Sequence, residues 1–401
     1  MEVKTMKEEL FKKLNEKQSR MVEIRRYLHE HPELSFHEEN TAKYIADFYQ
    51  KLDCDVRTHV GGNGVVVTID TLKPGKTLAI RADFDALPIH EETGLPFASK
   101  NEGVMHACGH DGHTAYMLIL AESLIEMKDE LTGKIVILHQ HAEETPPGGA
   151  IQMIQDGALD GVDNVLGIHV MSTMKTGEVS YREGAIQTGR SYFKLKVQGV
   201  GGHGSSPHMA NDAIVAASEF VVAVQTVISR RLNPFDVGSI TIGSFDGKGS
   251  FNVIKDSVEL EGDVRSMSEE TRTTIEKEIR RIVGGLEAMF GVTCELDYKN
   301  DYPVLNNDEA LTHFVVDSIN SSAIPEITAV TRCEPQPPSE DFAYYAKERP
   351  SVFFYVGAMP ADGHFYPHHH PKFDINEDAL LIASKAMGAC VLDYLKGEAD
   401  K

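Results

Sequence analysis

Four short runs with the composition of β-strands lie in the first half of this chain, and helical patterns separate some of them. The runs are 65–69, 78–82, 135–139 and 165–169. Helices are predicted at 112–127 and 150–155. Strands that alternate with helices are typical of a mostly parallel sheet covered by helices. The sequence therefore predicts an α/β fold here.

Two helices are predicted ahead of the first strand. Apolar residues recur at helical spacing over 7–28, and Pro32 follows. A second pattern of this kind covers 39–52. Because proline disfavours helix in the residue before it, the first helix should end before Pro32.

A different pattern covers 191–302. Its predicted order is β-α-β-β-α-β, which is that of a ferredoxin-like α+β unit. Ser268 should cap its second helix, which Glu269 and Glu270 stabilise through the helix dipole. Helix and strand alternation resumes after it. We therefore expect a discontinuous catalytic domain, residues 1–188 and 305–401, with a smaller domain inserted at 189–304.

The amino-acid composition limits the classes of partner that the chain is expected to bind. The chain has 401 residues, 39 basic against 61 acidic, for a net charge of −22. This charge argues against nucleic acid or an anionic membrane as partner and indicates a solvated acidic surface. The strongly charged start has no apolar signal segment, and no run is apolar enough to span a membrane. Five scattered cysteines indicate reduced thiols, so a cytoplasmic protein is expected.

Potential metal ligands lie at the ends of the predicted strands or in the loops after them. They are Cys108, His110, Glu143, Glu144 and His169. A histidine near the C-terminus would join them, and His368–His370 is the obvious source. In open α/β sheets, sites form at the carboxyl ends of strands. Mixed sulfur, nitrogen and carboxylate ligands suit zinc, cobalt or manganese better than calcium or magnesium, which predicts a metal-dependent hydrolase.

Each of these residues also has a plainer interpretation. Adjacent glutamates are usually a solvated turn, although one can bind metal while the other acts as general base. A lone histidine is usually a hydrogen-bonded core residue, and a lone cysteine a small buried hydrophobe. His106 and His113 could support the ligands or serve the scaffold. His141 could approach the metals, but a structural role is preferred for both His139 and His141.

Several motifs together resemble one family over nearly the whole chain. They span 25–34, 81–88, 105–114, 140–144, 201–208 and 369–373. The chain closely resembles the dinuclear-metal aminoacylase/carboxypeptidase superfamily. The most similar branch holds bacterial N-acyl-amino-acid amidohydrolases, hippurate hydrolases and plant auxin-conjugate hydrolases.

The resemblance implies a role for each site residue. Two divalent metal ions per subunit, one of whose ligands bridges them, would be bound by Cys108, His110, Glu144, His169 and His369. Glu143 would be the general base and Asp85 would orient a ligand, with Asp83 further out. His369 is chosen from its run by the family's His-x-Pro pattern. The family usually has proline at the position of His141, which leaves the shape of that loop open.

The inserted domain resembles the family's dimerisation or lid domain. His203 matches a histidine that reaches across a dimer to stabilise the oxyanion, although a glycine-rich turn is the plainer interpretation. Asn252 and Arg265 match positions that hold the substrate carboxylate. For Arg265 a salt bridge is an equal alternative. A homodimer or higher homo-oligomer through this domain is expected.

The predicted function is hydrolysis of N-acyl amino acids to a carboxylate and a free amino acid. A metal-activated water would attack, with Glu143 as base. Manganese, zinc, cobalt and nickel all remain open as the metal. One alternative is a dipeptidase or carboxypeptidase on the same fold, and a second is a non-catalytic metal-binding protein.

Overall fold

The computed structural model describes residues 3–397, which form two compact units. Unit 1 comprises the chain up to Ile186, Asn306–Glu334 and the chain from Asp341. Unit 2 comprises Gln187–Leu305 and Pro335–Glu340. The outermost residues of the predicted catalytic domain, 1–2 and 398–401, lie outside the described residues. Assignment of the units as catalytic and dimerisation or lid domains stays a prediction.

The α-helices in chain order are α1 Val3–Glu16, α2 Gln18–Glu30, α3 Glu39–Tyr49, α4 His110–Ile125, α5 Gly149–Gln155, α6 Ala213–Arg231, α7 Glu269–Phe290, α8 Glu309–Ser321, α9 Ala343–Glu348 and α10 Asp378–Leu395. The strands are β1 Asp55–Val60, β2 Gly64–Asp70, β3 Thr77–Asp83, β4 Lys134–Gln140, β5 Asn164–Met171, β6 Glu178–Tyr181, β7 Gly184–Gln187, β8 Gly189–Gln198, β9 Gly202–His203, β10 Gly238–Asp246, β11 Val253–Ile254, β12 Ser257–Ser266, β13 Thr293–Asn300, β14 Leu305–Asn307, β15 Ala329–Arg332 and β16 Ser351–Gly357.

An eight-stranded sheet forms the centre of unit 1. Its strand order is β1-β2-β4-β3-β5-β16-β6-β15. The pairs β4-β3, β3-β5, β5-β16 and β6-β15 are parallel, whereas the other three neighbouring pairs are antiparallel. The four central strands are almost wholly buried, as expected for parallel strands with helices on both faces. This confirms the predicted α/β fold with a mostly parallel sheet.

The helix α4 is the most buried element of unit 1. All sixteen of its residues are buried, because α1, α2 and α10 pack around it and β3 and β5 lie beneath it. A helix that is apolar on every side is stable only inside a core. The first turn of α4 is therefore held from several directions, and this turn carries His110.

The single helix predicted over 7–28 is wrong, because the structure has two helices there. They are α1 and α2, and Lys17 separates them. Leu14 and Met21 are both completely buried on either side of the break. The apolar spacing thus continues through a one-residue interruption, and periodicity alone did not reveal it.

Unit 2 is built on an antiparallel sheet with strand order β10-β12-β8-β13. If β8, β10, β12 and β13 are numbered 1 to 4, the strand order read from the β13 edge is 4-1-3-2. This is the ferredoxin-like arrangement. Alternate residues of β8, including Phe193 and Leu195, are buried in a core shared with α6 and α7. The Ser268 hydroxyl accepts a hydrogen bond from Thr271 N, as expected for the N-cap of α7.

Residues 335–340 group with unit 2, although the sequence analysis placed all of 305–401 in the catalytic domain. The hydroxyl of Thr188 donates to the carbonyl of Pro337, and Arg265 donates to the Ser339 hydroxyl. These contacts join segments that are far apart in sequence, so local patterns could not indicate them.

The helix α6 is long and apolar enough to pass as a membrane-spanning segment by length and composition alone. This is weak evidence, since core helices of soluble proteins share these properties. One side of α6, including Phe220 and Val224, is packed in the core of unit 2.

Candidate metal centre

The predicted ligands of unit 1 lie at one edge of its sheet. The strands β3, β4 and β5 are parallel neighbours, so their carboxyl ends point the same way. Asp85 follows β3, the Glu143–Glu144 pair follows β4, and His169 lies near the end of β5. This is the edge at which open α/β sheets form their sites.

Gly109 allows two predicted ligands to flank the start of α4. Its φ of 91° lies in the left-handed region, which glycine adopts without steric cost. A Cβ at this position would lie 2.6 Å from the Val170 side chain. The tight turn between Cys108 and His110 therefore depends on glycine.

The side chains of all five predicted ligands converge, and Glu143 joins them. The potential ligand atoms of Cys108, His110 and His169 lie within 4.8 Å of one another. The same holds for Cys108, Glu144 and His369, and for His110, Glu143 and Glu144. Each pair of these three groups has one residue in common, which is Cys108, His110 or Glu144. Overlapping groups of this composition are expected of a site for more than one ion.

The separations between these atoms are compatible with metal ions. The Cys108 Sγ lies 3.5 Å from His169 Nε2, and Glu144 Oε1 lies 3.8 Å from His110 Nε2 and 3.3 Å from His369 Nε2. Ligands about 2.0–2.3 Å from a tetrahedral metal lie at roughly such distances from one another. Neither His110 Nε2 nor Glu144 Oε1 has a hydrogen-bond partner among residues 3–397, although both atoms are buried. Buried polar atoms of this kind need a partner, and a cation fits both.

Asp85 fixes the orientation of His110. The His110 Nδ1 lies 3.0 Å from the Asp85 carbonyl oxygen and 3.2 Å from its Oδ1. Both atoms are acceptors, so Nδ1 carries a proton, and Nε2 is the nitrogen that a metal can bind in place of a proton. The other carboxylate oxygen of Asp85 accepts from Ser35 Oγ at 2.7 Å and from Glu144 N at 2.9 Å. Asp85 thus prepares a histidine and a glutamate together.

A similar bond fixes the tautomer of His169 and distinguishes it from His113. His169 Nδ1 donates to the Val170 carbonyl at 2.7 Å, which leaves Nε2 facing Cys108. His113 Nδ1 donates to Asp83, and its Nε2 accepts from Val170 N at 2.9 Å. Both ring nitrogens of His113 are already bonded to protein groups. This fits a scaffold role, which was one of the two roles considered for His113.

The electrostatics of the cluster favour a cation. Desolvation and the carboxylates of Glu144 and Glu143 hold the pKa of the Cys108 thiol well above its ordinary value. Burial lowers the pKa of His110, but the charges of Asp83 and Asp85 outweigh it and raise that pKa to about 10. The carboxylates thus attract positive charge and oppose a thiolate. A divalent cation would supply that charge and stabilise the thiolate.

The three consecutive histidines have different surroundings. His369 faces Glu144 and has a left-handed backbone, with φ of 66°, which its N–H bond to the Ala107 carbonyl holds. His370 stacks on Tyr366, and its Nδ1 accepts from Lys372 N. His368 lies 3.7 Å from Cys108 Sγ through its Nδ1. A non-glycine residue in this backbone region is often found at functional sites, which favours His369 as the ligand.

Sequence reasoning missed Ser35 and Glu38, which precede α3. Both are buried, and both bond to groups beside the proposed ligands, Ser35 to Asp85 and Glu38 to the backbone of Ala142. The only local signal was their position directly after the 25–34 motif. His141 is also buried, and its Nε2 lies 3.3 Å from Gln152 Oε1. The structural role preferred for His141 stays a prediction.

The candidates of unit 2 divide between two places within that unit. His203 is exposed on β9, which pairs with β11 directly after the exposed Asn252. The His203 Nδ1 lies 2.7 Å from Ser205 Oγ. Arg265 on β12 is half-buried, and its Nε donates to Asp263 at 2.8 Å. The salt bridge considered for Arg265 is therefore present, and the catalytic and substrate-binding roles of all three stay predictions.

Comparison with known proteins identifies the family. The model of peptidase family M20/M25/M40 matches residues 79–393. The chain belongs to this family. This confirms the resemblance deduced from the motifs, and the matched region contains all five predicted ligands and Glu143.

Three similar proteins illustrate the range of the family. N-acetyl-L-cysteine deacetylase of Bacillus subtilis is 38% identical over 92% of this chain and 86% of its own length. A solved "putative aminohydrolase" of methicillin-resistant Staphylococcus aureus is 66% identical, with a TM-score of 0.94 over 97% of this chain and 99% of its own. The YXEP protein of Bacillus subtilis, described as a dinuclear metal-binding peptidase from M20 family, is 31% identical, with a TM-score of 0.82 over 94% and 98%.

Proposed function

We propose that this chain is a metal-dependent amidohydrolase that cleaves N-acyl amino acids into a carboxylate and a free amino acid. One observation carries the proposal: Glu143, a buried carboxylate, lies beside the cluster of Cys108, histidines and Glu144. A site that only binds metal has no use for an additional carboxylate of this kind, whereas hydrolysis requires a base.

The proposed metals are two divalent ions, chosen from manganese, zinc, cobalt and nickel. Their ligands would be Cys108, His110, Glu144, His169 and His369. Such ions polarise a carbonyl group and lower the pKa of a water molecule. The mixture of soft sulfur, imidazole and carboxylate in this cluster is compatible with each of the four metals.

The side chains of the protein would carry the proton and hold the substrate. The carboxylate of Glu143 takes a proton from the attacking water and delivers it to the nitrogen of the leaving amine. His203 stabilises the negative charge on the carbonyl oxygen, an effect that is often worth several kcal/mol. Arg265 and Asn252 bind the carboxylate of the amino acid, a task for which a guanidinium fork is well suited.

Metal removal followed by a substrate panel tests the reaction. The protein is stripped with a chelator and reloaded with each of the four metals. Free amino acid is then measured with N-acetyl and N-benzoyl amino acids and with simple dipeptides. Metal-dependent release from the acyl compounds is expected. Turnover of dipeptides alone would assign a peptidase, and silence on every substrate with metal bound would favour a non-catalytic protein.

Replacement of Glu143 by alanine tests the base. The variant Glu143→Ala should lose turnover yet keep the metal content of the wild type, because Glu143 is not one of the proposed ligands. The exposed Glu102→Gln serves as the control and should behave as the wild type. Substantial activity in Glu143→Ala would show that another group is the base.

We also propose a homodimer formed through unit 2. The outward side of α6 supports this, since Val222 is 66% exposed and Val215 is 53% exposed on a helix otherwise packed by its other side. Sedimentation should give twice the monomer mass. Val222→Glu should shift the protein to monomer, whereas Lys277→Glu on the exposed part of α7 should not. A monomeric wild type would refute the proposal.

A further inference from the structure

The short segment between α2 and α3 reaches the loop that carries the proposed base. We call residues 35–38 the N-terminal strap and residues 141–148 the base loop. Ser35 bonds to Asp85, and Glu38, at the end of the strap, bonds to Ala142 in the base loop. This strap therefore contacts both the ligand-orienting carboxylate and the backbone next to Glu143.

Glu38 is a fully buried carboxylate with both oxygens engaged. Its Oε1 accepts from Ala142 N at 2.8 Å, and its Oε2 accepts from Asn63 Nδ2 at 2.9 Å. A hydrogen bond from a backbone amide to an ionised carboxylate is shorter and stronger than one between neutral groups. The buried charge is thus directed at one backbone position.

Ala142 has a backbone conformation that needs such support. Its φ of 52° lies in the left-handed region, which is unfavourable for any residue with a Cβ. The Ala142 carbonyl is held by the N–H of Gly149 at 3.1 Å. With Glu38 on its amide, both backbone polar groups of Ala142 are bonded, and Glu143 is the next residue.

The two backbone amides that flank Glu143 are each bonded to a buried carboxylate. Ala142 N donates to Glu38, and Glu144 N donates to Asp85 at 2.9 Å. The residues on both sides of Glu143 are therefore each held by a side chain that lies far away in sequence. Glu143 can take part in catalysis only from a defined position, because general bases must lie within hydrogen-bond distance of the proton they abstract.

We infer that Glu38 is a positioning residue that holds Glu143 in its productive place through the amide of Ala142. This inference rests on the proposed function, since it assigns Glu38 a part in the same reaction. The two oxygens of Glu38 are bonded to Ala142 N and Asn63 Nδ2, and Glu38 is not one of the proposed metal ligands. Its contribution is transmitted by one backbone hydrogen bond.

The cost of this arrangement supports the inference. Burial and the neighbouring charge of Asp85 raise the pKa of Glu38 to about 7. The surroundings of Glu38 thus destabilise its charged form relative to water, which reduces the stability of the fold as the pH rises toward 7. Perturbed groups of this kind cluster at functional sites.

The test compares three variants of the full-length, metal-loaded protein. Glu38→Ala removes the acceptor, Glu38→Gln keeps an acceptor of the same size, and Glu39→Gln changes the exposed neighbouring carboxylate as a control. Three quantities are measured: kcat and KM on an acyl substrate of the wild type, metal content, and hydrogen–deuterium exchange of the peptide that contains Ala142.

In Glu38→Ala we expect kcat to fall about 100-fold with KM nearly unchanged, since a misplacement of about 1 Å can cost this much. Exchange at Ala142 should be faster, and metal content should stay the same. Glu38→Gln should lie within about tenfold of the wild type, because the hydrogen bond survives without its charge. Glu39→Gln should match the wild type.

Other results would overturn the inference. Unchanged exchange at Ala142 in Glu38→Ala would mean that Glu38 does not hold the base loop. Equal losses of kcat in Glu38→Ala and Glu38→Gln would mean that the hydrogen bond is not what matters. The exchange measurement needs no substrate, so it still tests the contact if the wild type hydrolyses none of the panel, a result that would refute only the proposed function.

Discussion

The role of a single residue in this centre depends on which of its atoms are already bonded. His110 and His113 are both buried beside Asp83, three positions apart on α4. The backbone amide of Val170 donates to His113 Nε2, whereas His110 Nε2 has no hydrogen-bond partner in the described part of the chain. Of these two histidines, only His110 therefore has a ring nitrogen left for a metal, which supports its proposed role as a ligand.

Removal of the Asp85 carboxylate should weaken metal binding without abolishing it. In Asp85→Ala the His110 ring loses one of two acceptors, and Glu144 N loses its partner. Loss of such a supporting group typically costs about 10–100-fold in metal affinity. Competition titration with a chromophoric chelator measures this. The exposed Asp55→Asn is the control, and equal affinity in Asp85→Ala would contradict the role assigned to Asp85.

The raised pKa of Glu38 predicts a pH-dependent stability. The folded protein holds the proton of Glu38 more tightly than the unfolded chain, with a pKa of about 7 against 4.5. The stabilising contribution is therefore complete below about pH 4.5 and is lost as the pH rises to about 7.

Comparison with Glu38→Gln isolates this effect, since glutamine does not titrate and the other groups cancel. The free energy of unfolding of the variant minus that of the wild type should increase by roughly 2 kcal/mol between pH 5 and 7.5. Urea denaturation at several pH values measures the difference. A difference that does not change with pH would show that Glu38 titrates normally.

Local sequence indicated the chemically reactive residues but not the residues that hold them. Cys108, His110 and the two glutamates could be recognised from their positions around predicted strands. The bond between Glu38 and Ala142 joins residues 104 apart. Neither its existence nor the left-handed backbone of Ala142 follows from any local pattern, because both depend on tertiary packing.

Among the secondary-structure elements, α2 has a special place because its Arg25 connects two segments that carry proposed ligands. Arg25 is completely buried. Its guanidinium donates to Asp111 at 2.8 Å on α4, and to Asp374 at 2.9 Å just before α10. The first contact lies next to His110 and the second lies five residues after His369. One side chain thus holds two separate parts of the candidate metal centre.

Loss of Arg25 should be far more damaging than loss of its neighbour. Arg25→Ala leaves Asp111 buried with only His29 as a partner, and removal of one member of a buried pair costs about 3–5 kcal/mol. Arg26 pairs with Glu377 at a partly exposed position, so Arg26→Ala should cost less than about 1 kcal/mol. Urea denaturation compares the two. Similar losses of unfolding free energy in the two variants would indicate that burial does not determine how much the Arg25 contacts stabilise the fold.

The helices and strands that could be predicted were those whose apolar residues recur at a regular spacing. The alternation of β8 and the apolar stripe of α7 follow directly from side-chain burial on one face. The interruption at Lys17 and the short strands β6 and β15 were not predicted. Short elements contain too few residues to establish a period, and α1 and α2 present one continuous apolar face.

At the scale of the whole molecule, the net charge of −22 is the dominant property. Like charges repel one another in the compact state. The Debye length, over which this repulsion acts, falls from about 30 Å at 10 mM to about 8 Å at 150 mM ionic strength. At fixed metal loading, this change in sodium chloride should raise the melting temperature by roughly 1–3 °C. Potassium and choline chloride are the controls. A rise with only one cation would indicate specific ion binding instead of screening.

The positions of the five proposed ligands along the chain have a consequence for biosynthesis. Four of them have been synthesised once His169 is complete, whereas His369 follows only after unit 2 and near the end of the chain. At about 5–20 residues per second, the ribosome needs on the order of 10–40 s to cover this interval. During that time the nascent protein carries a cysteine, two histidines and a glutamate of the centre but not its last imidazole. The proposed ligand set is therefore complete only after His369 has been synthesised, so the centre can close around its metals only late in biosynthesis.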